Sequence, residues 1–194
     1  CIRDRSSDEN ENPVTGNMIL AFGEGDDGIG SGLFKNGDSV DMGAGNDNVS
    51  FVNHNATYQG APALSALSMT KLDGGAGTDE LSFTYNEASI ELNLTFGGAT
   101  NFENITGSGS AEVIRGDTGA NQLSGNDGAD TIYGGDGNDT LSGSTSWSSS
   151  NDSASNRQQA ANDSGNNTND NLYGQAGDDV LIGTIGDNIL DGGA

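Results

Sequence analysis

Large apolar residues recur every nine residues through the second half of this 194-residue chain. Most of them have polar neighbours, and the six residues before each such trio are rich in Gly and Asp. They are Ile114, Leu123, Ile132, Leu141, Leu172, Leu181 and Leu190. A polar–apolar–polar trio predicts a short β-strand that points one side chain inward. A Gly/Asp-rich hexapeptide predicts a tight turn, so the pattern predicts a series of turn–strand units.

The clearest unit is 134–142, which reads G-G-D-G-N-D-T-L-S. It fits the pattern G-G-x-G-x-D-x-U-x, where U is a large apolar residue, and we number its positions one to nine. Units in this phase fill 107–142 and 165–191. In the first half, 74–82 is a full match, 42–50 differs only at its first position, and 22–30 and 33–41 fit less closely.

The changing regularity of the units predicts three regions. They are an N-terminal polar segment at 1–21, an irregular repeat region at 22–106 with an insertion at 51–73, and a regular array at 107–194 with a polar loop at 143–164. Within the irregular region, the alternation of apolar and polar residues over 88–94 predicts a longer strand.

The composition argues against a conventional core. Apolar residues make up 31% of the chain, it has 32 Gly, and its formal net charge is −23, whereas globular domains average about 45–50% apolar residues. Such a chain buries little apolar surface and loses much conformational entropy on folding. A divalent cation would neutralise the carboxylates and replace the missing core. The acidity excludes a nucleic-acid partner, and no apolar run approaches the roughly 20 residues of a membrane-spanning helix.

The chemistry of the turns points to calcium. Glycine admits positive φ angles and leaves backbone carbonyls uncovered, and the Asp at position six adds a carboxylate to the same turn. Carbonyl and carboxylate oxygens are the ligands that Ca²⁺ prefers. Two nonapeptides make one coil, so turns on the same side are two units apart and a Ca²⁺ would lie between them.

The nonapeptides resemble the RTX, or haemolysin-type calcium-binding, repeat family. The resemblance covers most of 22–50, 74–82 and 98–191, and 101–108 resembles the lead-in of such arrays. It implies an all-β fold, a parallel β-roll with Ca²⁺ in the turns and a few loop insertions. It also implies secretion in an unfolded state and folding on meeting external calcium, hence an extracellular or bacterial cell-surface location.

Carried over position by position, the resemblance implies that the position-six aspartates are side-chain ligands. They are Asp27, Asp38, Asp47, Asp79, Asp130, Asp139, Asp170 and Asp179. Same-side pairing joins Asp139 with Asp179 and Asp130 with Asp170, if 143–164 loops out. Backbone carbonyls would complete the sites near Gly125, Asp127, Gly134, Asp136, Gly174 and Ala176. The pattern is broken at Ala88, Glu103, Glu112, Asn121 and Asn188, which makes their turns weaker candidates.

Two functions of different classes fit these features. The first is an extracellular calcium-binding structural protein, a building block of a surface layer, adhesin or filament. The second is the calcium-binding module of a type I secreted enzyme, such as a protease, lipase or epimerase, whose catalytic domain lies outside this chain. The chain has no H-E-x-x-H or G-x-S-x-G motif and a single His, so we expect it not to be an enzyme.

Further expectations concern partners and anchoring. The open ends of a β-roll favour a homo-oligomer or head-to-tail polymer. Cys1, the sole cysteine, is either a processing boundary or a lipidated N-terminus. Ice binding would need a regular row of Thr or Asn at one position, and position five offers no clean row.

Overall fold

The computed structural model describes residues 17–30, 34–51, 66–84, 90–143, 169–183 and 186–194. Cys1, Ala88 and most of the insertion at 51–73 and of the loop at 143–164 lie outside these residues. The described residues form short β-strands and a 3₁₀ turn at Phe96–Gly98. None of the helical segments within them is long and apolar enough to cross a membrane.

The strands are mostly three residues long, as the repeat pattern predicts. They are β1 (Ile19–Ala21), β2 (Gly28–Gly30), β3 (Ser39–Asp41), β4 (Asn48–Ser50), β5 (Lys71–Asp73), β6 (Glu80–Ser82), β7 (Glu91–Asn93), β8 (Ala99–Thr100), β9 (Asn104–Thr106), β10 (Val113–Arg115), β11 (Gln122–Ser124), β12 (Thr131–Asp136), β13 (Thr140–Ser142), β14 (Asn171–Ala176), β15 (Val180–Ile182) and β16 (Ile189–Asp191).

The chain divides into two compact units. Unit 1 comprises 1–81 and 95–102, and unit 2 comprises 82–94 and 103–194. In unit 1, one sheet has the order β1-β3-β5-β8, and β2, β4 and β6 follow one another in a second sheet. The pairings are parallel, with Leu20 beside Val40 and Val40 beside Leu72.

Unit 2 has the same construction. One sheet has the order β7-β10-β12-β14-β16, and β9, β11, β13 and β15 are neighbours in another. All of these pairings are parallel. A coil takes 18 residues between Glu112 and Asp130 but 40 between Asp130 and Asp170, because the loop at 143–164 interrupts it. The register continues across this loop, and the predicted parallel β-roll is confirmed.

The position-eight side chains form the core of unit 2. Ile114, Leu123, Ile132, Leu141 and Leu172 are fully buried. The last two position-eight residues depart from the prediction. Leu181 is half-buried and Leu190 is 47% exposed, because β15 and β16 are edge strands with a neighbour on one side only.

The region expected to be irregular contains more strands than predicted. The segment 51–73 ends in β5, where Leu72 is fully buried, and β7, β8 and β9 lie within 83–106. A longer strand was predicted over 88–94, but the strand that the structure describes there is only Glu91–Asn93. It ends there because the chain turns at 94–95 into the 3₁₀ segment.

Unit 1 adds an aromatic cluster to its core. The rings of Phe34 and Phe51 are 5.2 Å apart, and Phe96 meets Phe51 edge-on at 5.6 Å. Outside the core, Lys71 bridges Asp41 at 2.6 Å and Asp73 at 3.1 Å. The pair of Lys71 with Asp41 joins β5 to the neighbouring β3, whereas Asp73 lies on the same strand as Lys71.

Candidate metal centre

Glycine has two different roles in the turns. At positions two and four the backbone has positive φ, for example 110° at Gly135 and 114° at Gly137, which glycine adopts without steric cost. At position one the requirement is space. A Cβ on Gly134 would collide with Oδ2 of Asp139 and lie 2.7 Å from the carbonyl oxygen of Gly174. Position one therefore keeps a carboxylate and a carbonyl oxygen close together.

Each position-six aspartate of unit 2 links two coils. One of its oxygens, Oδ1, accepts a hydrogen bond from the backbone N–H of the position-six residue in the preceding coil. The N–H of Glu112 donates to Asp130 at 2.8 Å, and that of Asp130 donates to Asp170 at 3.0 Å. On the other side, the N–H of Asp139 donates to Asp179 at 2.9 Å. The structure thus brings together both predicted pairs, Asp130 with Asp170 and Asp139 with Asp179.

Unit 1 repeats this arrangement. The N–H of Asp27 donates to Oδ1 of Asp47, and the N–H of Asp47 donates to Oδ1 of Asp79, both at 2.7 Å. We call these rows of linked position-six residues the carboxylate ladders. They extend the site geometry into the repeats of the first half of the chain.

The second oxygen of most ladder carboxylates is buried without a hydrogen bond. Among the described residues, such orphan oxygens are Oδ2 of Asp47, Asp79, Asp130, Asp139 and Asp179. A buried carboxylate oxygen left unpaired costs on the order of 1–3 kcal/mol or more, so a row of them destabilises the roll by itself. Their chemistry fits a hard cation, because Ca²⁺ binds six to eight oxygen ligands and would supply the missing positive charge.

The electrostatics of the ladder point the same way. Burial, together with the nearby carboxylates of Glu112, Asp170 and Asp127, raises the pKa of Asp130 to about 7. Burial and the charge of Asp179 also raise the pKa of Asp139. These carboxylates resist ionisation in the absence of a cation, which is the expected state of a ligand set without its metal.

Side chains alone do not complete a site. Within the described ranges, no three acidic, His or Cys side chains gather around one point. The prediction that backbone carbonyls supply the remaining ligands therefore concerns oxygens at the turns. The carbonyl oxygens of Gly125, Gly134 and Gly174 face the position-one glycine of a neighbouring coil. That of Ala176 accepts a hydrogen bond from the N–H of Gly137 at 2.9 Å and keeps one lone pair.

The other residues predicted as ligands differ in how exposed their side chains are. The side chains of Asp127 and Asp136 are exposed, so only their carbonyls could contribute. Asp170 is fully buried and its Oδ2 lies against Gly143. Asp27 is only half-buried, so water reaches its carboxylate.

Asp38 differs from the other ladder residues. Its Oδ1 accepts the N–H of Met18 at 2.9 Å, as the ladder requires. Its Oδ2 accepts the N–H of Lys35 at 2.8 Å, within its own turn. Protein hydrogen bonds reach both oxygens, so the predicted ligand role of Asp38 has less support than that of Asp47.

Two residues that break the pattern close their own turns. Both carboxylate oxygens of Glu112 accept hydrogen bonds from Ser108, one from its backbone N–H at 3.1 Å and the other from its hydroxyl. The side-chain oxygen of Asn121 accepts the N–H of Asp117 at 2.9 Å. Neither turn contains an orphan carboxylate oxygen.

Sequence reasoning missed a second ladder at position five. The side-chain oxygen of Asn46 accepts the N–H of Thr78 at 2.9 Å, and that of Asn138 accepts the N–H of Asp178 at 3.1 Å. Here the side chain of the earlier coil accepts from the later coil, which is the reverse of the carboxylate ladder. The signal was the recurrence of Asn and Asp at position five, since these side chains readily accept backbone N–H groups.

An outward-facing row was also missed. Arg115, Tyr133 and Tyr173 occupy equivalent positions on β10, β12 and β14. The tyrosine rings stack at 5.1 Å, and the guanidinium of Arg115 lies 4.3 Å from the ring of Tyr133. The row stabilises the sheet across the position where the loop at 143–164 interrupts the coils.

A parallel β-roll whose turns carry rows of buried, unpaired carboxylate oxygens defines a calcium-binding repeat protein. The family of the RTX calcium-binding nonapeptide repeat matches residues 106–141 and 164–194, in four copies. Over these residues the chain carries RTX nonapeptide repeats, which bind Ca²⁺ and are typical of secreted proteins. No curated protein matches the chain. The turns of unit 1 lie outside the match but have the same hydrogen bonds.

Proposed function

We propose that this chain is an extracellular structural protein that folds on binding calcium and serves as a building block of a surface layer, adhesin or filament. The orphan oxygens of the carboxylate ladders carry the calcium-dependent part of this proposal. A chain that buries these oxygens without a cation holds unfavourable charge in its turns. The same oxygens become ligands when calcium is present, so binding free energy becomes folding free energy.

The expected size of this effect suits a switch across a cell boundary. Extracellular calcium modules typically bind at ~10⁻⁴–10⁻³ M. At millimolar calcium, a site with a dissociation constant of ~10⁻⁴ M adds about 1.4 kcal/mol of stability. Several such sites together approach the stability of a typical folded protein, which is roughly 5–15 kcal/mol. At cytosolic calcium this contribution disappears, which keeps the calcium-dependent coils unfolded for export.

The structural role rests on the construction of both units from stacked coils. Edge strands expose apolar side chains: Ile19 on β1 is 79% exposed, and Ile189 on β16 is 54% exposed. Edge strands also present unpaired backbone groups that can pair with another chain. We infer from these edges that copies of the chain associate end to end. The single His and the lack of H-E-x-x-H and G-x-S-x-G motifs favour a chain with no catalytic role of its own.

A calcium titration followed by circular dichroism, with negative-stain imaging at each end point, tests the proposal. β-structure should appear cooperatively with calcium, and elongated particles should follow. Magnesium at equal concentration is the control, because Mg²⁺ dehydrates reluctantly and demands near-octahedral geometry. Calcium-dependent β-structure in particles that stay monomeric would favour the alternative, a calcium-binding module of a secreted enzyme. Unchanged β-structure throughout would contradict calcium-dependent folding itself.

A further inference from the structure

We propose that the first full coil of unit 2, residues 104–124, folds without calcium and is the template on which the calcium-dependent coils assemble. The proposal rests on calcium binding by the later turns, but it concerns the part of the array that does not need the ion. Its basis is the way in which two residues that break the repeat pattern are satisfied by the protein itself.

The turn that contains Glu112 is closed by Ser108. The backbone N–H and the hydroxyl of Ser108 donate to separate oxygens of the Glu112 carboxylate, and the N–H of Ser110 donates to Oγ of Ser108 at 3.1 Å. Glu112 and Ser108 are 2% and 1% exposed. This buried carboxylate therefore has protein partners where Asp130 has an orphan oxygen.

The turn that contains Asn121 is closed by Asp117. The N–H of Asp117 donates to Oδ1 of Asn121 at 2.9 Å, and Nδ2 of Asn121 donates to Oδ1 of Asp117 at 3.3 Å. The N–H of Gly119 donates to the same Asp117 oxygen at 2.8 Å. Because an amide replaces the position-six carboxylate, this turn buries no negative charge at that position.

The strands around these two turns have their own apolar core. β10 pairs with β7, and β9 pairs with β11. The inward side chains of these four strands are all 0–1% exposed; they are Leu92, Ile105, Ile114 and Leu123. Among the described residues of unit 2, orphan carboxylate oxygens begin only at Asp130. Apolar burial and satisfied position-six side chains thus coincide in this coil.

The same coil presents hydrogen-bond donors to the next one. The N–H of Glu112 donates to Oδ1 of Asp130, and the N–H of Asn121 donates to Oδ1 of Asp139, both at 2.8 Å. Fixing one oxygen of each carboxylate also sets the direction of the other. A coil that is already folded would therefore place the first two calcium-binding carboxylates before any ion binds.

Hydrogen exchange of the full chain, measured by mass spectrometry in chelator and in millimolar calcium, tests this inference. In chelator, we expect peptides from 104–124 to exchange more slowly than those from 125–142, by on the order of tenfold or more. In calcium both should be protected. Equally fast exchange of both in chelator overturns the template, and failure of calcium to protect 125–142 instead contradicts calcium-dependent folding.

A pair of matched variants sharpens the test. Asn121→Asp restores the repeat pattern and adds a buried negative charge. It should abolish the protection of 116–124 in chelator while leaving protection in calcium intact. Gln122→Glu adds the same charge at the exposed neighbouring side chain and should change neither. If Asn121→Asp keeps its protection in chelator, the hydrogen bonds between Asp117 and Asn121 are not the reason why this coil folds without calcium.

The serine closure is tested in the same way. Ser108→Ala removes one donor to Glu112 and should speed exchange over 104–115 in chelator by on the order of tenfold. Ser124→Ala is the control, since its buried hydroxyl has no hydrogen-bond partner. Equal effects of the two substitutions would contradict the role given to Ser108.

Discussion

Asp139→Asn should have opposite effects with and without calcium. The asparagine keeps an Oδ1 that can accept the N–H of Asn121, which is 2.8 Å from Asp139. It replaces the orphan Oδ2 by a neutral NH₂ group. The substitution therefore preserves the link between coils and removes only the charge and the unpaired oxygen that we assign to calcium.

The magnitude follows from the two states. With calcium, even the loss of an outer-shell partner typically weakens a metal site about 10–100-fold. The loss of a charged ligand should weaken the site between Asp139 and Asp179 at least as much, by about 1.4–2.8 kcal/mol. Without calcium the sign reverses. Removing the buried negative charge should stabilise the metal-free roll, in accord with the raised pKa of Asp139, which burial causes.

The assay is a calcium titration of β-structure by circular dichroism, combined with urea unfolding in chelator. Asp136→Asn is the control, because it removes the same charge from an exposed side chain of the same turn. The expected result for Asp139→Asn is a higher calcium midpoint together with more residual β-structure in chelator. An unchanged midpoint, or a loss of stability in chelator equal to that in calcium, would refute the assignment of Asp139 as a ligand.

Three further predictions concern other parts of the site. Gly134→Ala should destabilise the calcium-loaded roll by about 1–3 kcal/mol in thermal unfolding, whereas Gly192→Ala, which meets open space, should be neutral; equal effects would contradict the crowding at position one. Burial raises the pKa of Asp130 to about 7, so a proton on this carboxyl stabilises the metal-free roll. This stabilisation is complete below about pH 4 and is lost as the pH rises through 7. In chelator, circular dichroism should therefore show more β-structure at pH 5 than at pH 7.5, and the reverse order would contradict this sign. Asn138→Ala should lower the free energy of unfolding by about 1 kcal/mol, measured by urea unfolding at two calcium concentrations that keep the chain folded. The loss should be the same at both. A loss that depends on calcium would argue against a purely structural ladder at position five.

The fold could be predicted from the sequence because each nonapeptide specifies its own local structure. An apolar residue at position eight and glycines at two and four specify a strand and a turn without reference to distant residues. The phase of the units also survived the interruption at 143–164, which allowed Asp130 to be paired with Asp170 across 40 residues. In a repeat with a fixed period, residues that pair over a long distance can be found by counting repeat units.

The ligand assignment could not be completed in this way. Asp38 and Asp47 occupy the same position of the pattern, yet a backbone N–H from Lys35 satisfies the second oxygen of Asp38 alone. Glu112 looked like a weakened ligand, but Ser108 satisfies its carboxylate. Residue type indicates which atoms could bind a cation. Only the local backbone path shows whether the protein has already supplied a partner.

The two oxygens of a ladder carboxylate have different roles. This difference explains how calcium can stabilise one register in so acidic a chain. Oδ1 of Asp130 and Asp139 sets the register through hydrogen bonds that need no metal. Oδ2 of the same residues contributes stability only when a cation is present. If the ion set the register as well, 29 acidic side chains could gather around calcium in many alternative ways. Because the backbone N–H groups select the register, calcium stabilises one arrangement among them. A roll that has unfolded in chelator should therefore regain the same order of coils when calcium returns.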